Sequence, residues 1–395
     1  MGNHSISEFG ARSGALSTQA IQAAVDACAA EGGGTALIPG GIYLSGTVFL
    51  RSNVSLEITA GATLKMSADP ADFPDFDCSW DKTQAPRGSS RCFLYIGGCE
   101  NTAVYGLGRI DCSGSLYCEP DPDAKADPTD PFRIRRMRRI HPDSPGRMIF
   151  VMESRNVTLA DFSLCEMAGG WGIWVNHSVS VNIRSLKLDC CPDYPNSDGI
   201  HINCSRDVFV TDCAVHSGDD ALVVRAATNT LREDVPCENI LVKGCSLSSN
   251  CQAVRIGWKG DGMIRSCLFS DLVITNSRDA ITIELPPGYT PHDTGSNTTR
   301  IEHLSFQHIL ISDTCRFPVK MVISDEVRCA YIRDIRFSDL DSTTQYYPRL
   351  EGRADVPLER ISFSRCRFTV LSHAQDSFLP RHVAGLHMDA DWCVE

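Results

Sequence analysis

From Asn156 onward one short pattern recurs. The stretches Asn156-Val-Thr-Leu-Ala-Asp-Phe-Ser-Leu, Asp207-Val-Phe-Val-Thr-Asp-Cys-Ala-Val and Asn239-Ile-Leu-Val-Lys-Gly-Cys-Ser-Leu carry apolar residues at the second, fourth, seventh and ninth places. Weaker copies begin at Ser180, Asp261, His303, Asp334 and Arg360. Alternation of this kind marks a strand with one buried face, and nothing between the copies has helical periodicity. Each copy therefore reads as one coil of β-structure, with loops of unequal length between copies. The seventh place holds Phe162, Leu186, Cys213, Cys245, Cys267, Ile309, Leu340 and Cys366. Such a column is expected of a solenoid, in which every rung buries its apolar face on the next. A propeller or a sandwich is disfavoured, because the tight turns recur in one register without a hairpin signature.

The one helical pattern lies earlier. Residues 18–31 place Ala, Ile, Val and Cys at helical spacing, behind a Ser17-Thr18 cap and ahead of Gly32-Gly33-Gly34. This helix is expected to close one open end of the solenoid and hide its unpaired strand edge. The layout is a single all-β domain over residues 1–395, with an N-terminal cap over 1–35, a long loop over 115–147 and a C-terminal cap over 370–395. A chain of 395 residues that is 43% hydrophobic can bury a large core. Its net charge of −12 argues against nucleic acid or an anionic membrane as a partner, and no segment reaches the length of a membrane span. The 19 cysteines are an odd number, and many sit at alternating positions of apolar runs. They read as reduced thiols packed as small hydrophobes, which together with an N-terminus lacking an export signal points to the cytoplasm. No cysteine pair has zinc-ligand spacing, and neither a metal nor another cofactor is expected.

A second register follows the first. Asp198-Gly-Ile-His-Ile, Asp220-Ala-Leu-Val-Val, Gln252-Ala-Val-Arg-Ile and Asp279-Ala-Ile-Thr-Ile share one form, a polar residue, then Gly or Ala, then alternation. As equivalent strands of successive coils they would stack Asp198, Asp220, Gln252 and Asp279 at about 4.8 Å per rung, in one outer groove. His201 and Asn203, Val223 and Arg225, Arg255 and Gly257, and Thr282 and Glu284 should face the same groove. Asp219 joins the acids from the Ser217-Gly218 turn. Carboxylates within about 5 Å cannot all ionise cheaply, so a proton donor and a proton acceptor coexist. Glycoside hydrolysis needs that combination, with carboxyl separations of about 6.5–9.5 Å for inversion. A lyase would instead need calcium on several oxygens and a cationic base, for which Arg225 and Arg255 are the candidates.

The N-terminal stretch from Phe9 to Gly41, Asn196-Ser-Asp-Gly-Ile-His-Ile and Ser217-Gly-Asp-Asp-Ala-Leu-Val-Val resemble glycoside hydrolase family 28, the polygalacturonase family. The resemblance covers nearly the whole chain in layout. It implies a right-handed parallel β-helix, with Asp219 as general acid and Asp198 and Asp220 holding the attacking water. It also implies inverting, metal-independent cleavage of an α-glycosidic bond in a pectin-like oligosaccharide. Two departures alter the expected subsites. Cys251-Gln252-Ala253 replaces the family's Gly-His-Gly, and Thr282-Ile283-Glu284 replaces its Arg-Ile-Lys. An anion at Glu284 should disfavour a uronate there, unless Arg225 or Arg255 pairs with it. Trp171 and Trp174 are the favoured sugar-stacking aromatics, ahead of Trp258 and Tyr289. The cluster Arg133, Arg135, Arg136, Arg138, Arg139 and His141 is a second region able to steer an acidic sugar. The leading reading is an exo-acting glycosidase; a β-helix lyase and a non-catalytic carbohydrate-binding solenoid are the alternatives.

Overall fold

The computed structural model describes residues 2–82, 89–124, 137–167, 169–231, 233–288, 298–314, 316–371 and 377–394. The chain winds as a right-handed parallel β-helix. One face is a 10-stranded parallel sheet, and the other strands of each coil form the remaining walls. One coil runs Trp171–Asn176, Val179–Arg184 and Lys187–Asp189; the next runs Ile200–Asn203, Arg206–Thr211 and Ala214–Ser217.

The corners explain the polar places of the repeat. Its first place is left-handed at Asn156, Ser180, Asp207, Asn239, His303, Asp334 and Arg360, and its sixth at Asp161, Ser185, Asp212, Gly244, His308, Asp339 and Arg365. A left-handed residue turns the chain within one position, at a cost of roughly 1–2 kcal/mol that Asn, Asp and Gly bear best. A third corner, at Glu153, His177 and Cys204, leads out of the ten-stranded sheet. Beside it the Ser154 and Ser178 amides donate to the hydroxyls of Ser178 and Ser205 on the following rung, at 3.1 and 3.0 Å. Each hydroxyl in turn donates to a carbonyl two residues back, so these buried groups are satisfied in series. Longer loops leave at both edges of the ten-stranded sheet, whereas from Asp161 to Arg365 the sixth-place corner is one residue.

The repeat column needs one correction. The fifth copy starts at Ser266, itself left-handed, and not at Asp261. Cys267 pairs with Ile240 and Leu304, in the column of the second place, and Leu272, paired with Ile309, fills the seventh. The strand Met263–Thr275 runs through the corner without ending, and Cys267 and Phe269 fit apolar places counted from either Asp261 or Ser266, so apolar spacing alone leaves two starting points open. Inside the coils, Phe269, Phe306, Phe337 and Phe363 stack with centroids 4.7, 4.9 and 4.7 Å apart and planes within 11°.

The helix Thr18–Ala30 lays Ile21, Ala24, Val25 and Cys28 over the first coil, as expected of a cap. Ser17 does not cap it through its side chain: that hydroxyl donates to the Ala15 carbonyl, and the Thr18 hydroxyl accepts the Gly46 amide at 2.8 Å. At the other end, His387–Val394 adds a further parallel strand to Leu358–Val370, with Trp392 on Phe368 at 4.8 Å. Within the expected long loop, Cys118–Pro120 pairs antiparallel with Met137–Arg139, and Arg133, Arg135 and Arg136 lie outside the described residues. No helix among the described residues is long and apolar enough to cross a membrane.

Phe306→Ala should remove a ring stacked on both sides and cost about 3–5 kcal/mol in chemical denaturation. Phe209→Ala, at an exposed site, should stay within about 0.5 kcal/mol of the parent.

Candidate active site

The ladder places the four motif strands on successive rungs. Ile200 pairs with Leu222, Leu222 with Val254, and Gln252 with Asp279. The amides of Gly199 and Ala221 reach the carbonyls of Asp220 and Gln252 at 2.9 Å, so the stacking of Asp198, Asp220, Gln252 and Asp279 holds. The groove over these strands has a volume of about 500 Å³ and is lined by Asp198, Asp219, Asp220, Gln252, His201, Trp171 and a set of cations. Two glycines allow the approach. A side chain at Gly199 would meet the Ala221 carbonyl, and one at Gly218 would meet the Ser197 hydroxyl and the carbonyls of Cys191 and Pro192.

Asp219 is half-buried at the groove. Its carbonyl accepts the hydroxyls of Ser217 and Ser249, each at 2.6 Å, and the Asn196 amide lies 3.5 Å from its carboxylate. Asp220 is buried, accepts the Gln252 amide at 3.1 Å and has the Arg255 guanidinium at 3.6 Å. Burial raises its pKa above the ordinary carboxylate range and Asp219 adds to the rise, while Arg255 opposes it. Asp198 is also buried, with His201 Nδ1 at 3.4 Å. Burial, with the positive charges of Arg225, Arg147 and Arg255, pulls the His201 pKa far below normal, which favours the uncharged imidazole beside Asp198.

Several expected groove residues lie elsewhere. Asn203 is buried, donates to the Asn176 side chain at 2.8 Å and accepts the Ala227 amide at 2.8 Å, making it part of the corner. Trp174 is 3% exposed, stacked on Phe150 at 4.7 Å behind the groove. Thr282 is fully buried between Arg255 and Lys320 in the ladder. Asp279 is fully buried beneath the groove, 3.5 Å from Arg316 and 3.9 Å from Arg278. Tyr289 lies outside the described residues.

The pairing of the cations also differs from expectation. Arg225 grips buried Asp261 through two bonds of 2.7 and 2.8 Å. Arg255 lies on the Trp258 face at 3.9 Å and donates to the Gln252 side chain at 3.1 Å. Glu284 pairs instead with Lys320 at 2.8 Å. Burial works against the Glu284 charge, but Lys320, with Arg255 and Arg278, holds its pKa below the ordinary value. Lys320, Arg278, Arg316 and Asn196 thus line the groove beyond the residues expected there, and Trp258, a less favoured stacking candidate, lines it too. Lys320 was within reach of the register argument, since it occupies the rung after Thr282 in a strand of the same alternation. Arg316 comes from a loop and carries no such signal. Arg138 pairs with Glu119 at 2.8 Å and Arg139 with Ser144, which occupies that part of the basic cluster.

The donor set also bears on the lyase alternative. Asp219, Asp220 and Cys251 bring one ligand atom each within 4.8 Å of one another. Calcium needs about six oxygens or more, and the third atom here is a thiol that burial keeps protonated. These residues do not fit a calcium centre, and the candidate base Arg225 is held by Asp261.

An open groove on the flat face of a parallel β-helix, with three carboxylates on neighbouring rungs, defines the class of β-helical enzymes that act on carbohydrate chains. The chain belongs to glycosyl hydrolases family 28, whose model matches residues 37–344, and it is a glycoside hydrolase. It is similar to a polygalacturonase of Gossypium barbadense, at 22% identity over 369 residues, covering 85% of this chain and 82% of that one. Among solved structures it is similar in fold to a hyperthermoactive exopolygalacturonase from Thermotoga maritima (TM-score 0.68, 17% identity, 99% and 92% coverage). The Yersinia enterocolitica family 28 exopolygalacturonase gives a TM-score of 0.65 at 16% identity, covering 100% of this chain and 78% of that one.

Because Arg255 opposes the rise of the Asp220 pKa, Arg255→Leu should raise it further. The alkaline limb of kcat/KM, where the acid pair loses its proton, should move to higher pH.

Proposed function

We propose that the protein hydrolyses an α-glycosidic bond in pectin-type oligosaccharides with inversion, acting from a chain end. Asp219 delivers the proton to the leaving oxygen, and Asp198 with Asp220 holds the water. The observation that carries this reading is the carboxylate trio in one groove, with the Asp220 pKa raised by burial and by Asp219. In such a pair one proton is retained by both acids together. Asp219, the less buried partner, is the one able to pass it to a bound sugar, while Asp198 stands on the neighbouring rung to hold the water.

The altered subsite is the Glu284–Lys320 pair. The carboxylate accepts hydroxyls of a neutral sugar, and the ammonium offsets part of the repulsion that a uronate would meet. The described cysteines are free thiols, in keeping with a reducing compartment to which short chains are delivered. End-on attack suits such chains.

A panel of pectic and neutral oligosaccharides, with product anomers followed by NMR, tests the reaction; retention of configuration or an unsaturated product would sink it. Asp219→Asn should lose about 10²–10⁴-fold in kcat, and less on a substrate with a good leaving group. Glu284→Gln should raise kcat/KM for uronate relative to neutral substrates, and Lys320→Met should lower it. If Glu284→Gln were as inactive as Asp219→Asn, Glu284 would be a catalytic carboxylate and the roles would be reassigned.

A further inference from the structure

One cation of the groove is held from outside it. Arg225 ends the strand Leu222–Arg225, at the edge of the sheet opposite to the Asp220 end, and lines the groove with its side chain partly exposed. Its Nε and Nη2 donate to the two carboxylate oxygens of Asp261 at 2.7 and 2.8 Å. Asp261 is fully buried, so it meets no ligand itself and acts only through Arg225. It comes from the following coil, in the turn 257–262 after the strand Gln252–Ile256. That turn is tied down on both sides. The amides of Gly257 and Gly262 donate to the carbonyls of Val224 and Ala226 at 2.9 and 2.8 Å, and the Thr299 hydroxyl donates to the Asp261 carbonyl at 2.8 Å. Trp258 of the same turn lies 3.9 Å from the Arg255 guanidinium and 5.8 Å from that of Arg225.

A buried ion pair contributes little net stability compared with apolar residues of the same volume. What two parallel bonds add is orientation, because they fix the plane of the guanidinium as well as its charge. With Nε and Nη2 bonded to Asp261, the Nη1 end of the fork is the part left for the groove that Arg225 lines. We propose that Asp261 is a positioning residue: it fixes the Arg225 fork so that the Nη1 end receives the carboxylate of an acidic sugar unit bound in the groove. This names one unit of the pectin-type substrate and rests on that reading. Without Asp261 the long side chain has to be ordered when the sugar binds, and part of the binding energy is lost in doing so. Glu284 and Lys320 act at a different place. Glu284 stands two rungs beyond Arg225 on the same column, past Gly257, so the groove takes an acidic unit at Arg225 and a neutral one at Glu284.

The test measures binding by calorimetry in the Asp219→Asn protein, with uronate-containing and neutral oligosaccharides of equal length. Arg225→Gln should weaken the acidic chain about 10–100-fold, the usual worth of a hydrogen bond to a charged group, and leave the neutral chain within about twofold. Asp261→Asn should cost the acidic chain a comparable factor. The double variant Arg225→Gln/Asp261→Asn should bind no more weakly than Arg225→Gln alone, because Asp261 works only through the guanidinium. Arg225→Lys, which keeps the charge and loses the fork, should lose about as much as Arg225→Gln. Additive losses, equal losses on acidic and neutral chains, or parental affinity in Arg225→Lys overturns the proposal, as does a parent that binds no acidic chain. If Asp261→Asn does not fold, Arg225→Lys decides: a loss confined to the acidic chain supports, and retained affinity refutes. Binding is read without turnover. An enzyme with Asp219 intact that hydrolyses none of the sugars would therefore count against the proposed reaction, and the calorimetry would still judge Asp261.

Discussion

Everything in this protein depends on the lateral hydrogen bonding that locks each rung to the one before it at about 4.8 Å. The spacing turns a sequence position into a spatial column. Leu272 stands beside Ile309, and Phe306 stands between Phe269 and Phe337, because the ladder allows no other neighbours. The same constraint brings Asp198, Asp220 and Gln252 into line, although the segments that hold them are separated by loops of different length.

Stacking acids at that spacing has an electrostatic cost, which cations in the groove offset. Arg255 stands over Asp220, Lys320 over Glu284, and Arg316 and Arg278 over Asp279. These pairs are partly desolvated, so removing one partner would leave a poorly solvated charge behind. Of the acids at the groove Asp220 is held above the ordinary carboxylate range by burial, against the pull of Arg255. Aromatic faces do the corresponding work on the opposite flank, where Arg147 is enclosed by Trp80, Trp171 and Trp174.

The coil was legible in the sequence because the apolar alternation and the polar corner residues are imposed by the same geometry in every copy. It misled at Asp261, where a continuous strand admits two starting points and only the left-handed corner at Ser266 separates them. The acids were legible for a related reason: Asp198 and Asp220 open strands in the same register. What the strand alternation cannot tell is which outward-facing residue stays accessible once longer side chains fold over it. Asp279 and Thr282 obey the register and are nonetheless covered, and Trp174 faces a neighbouring ring cluster rather than the groove. Arg147 carried no signal, since nothing in Arg-Met-Ile-Phe-Val-Met marks its first residue as caged.

From Asp161 to Arg365 the sixth-place corner is a single left-handed residue, while loops of unequal length emerge along both edges of the ten-stranded sheet. Chain length is thus variable where the banks of the groove are built and constant along that stretch of the far spine. A lineage of such proteins can lengthen or exchange either bank without disturbing the phase of any rung. The line of stacked acids and the banks beside it are therefore free to diverge at different speeds.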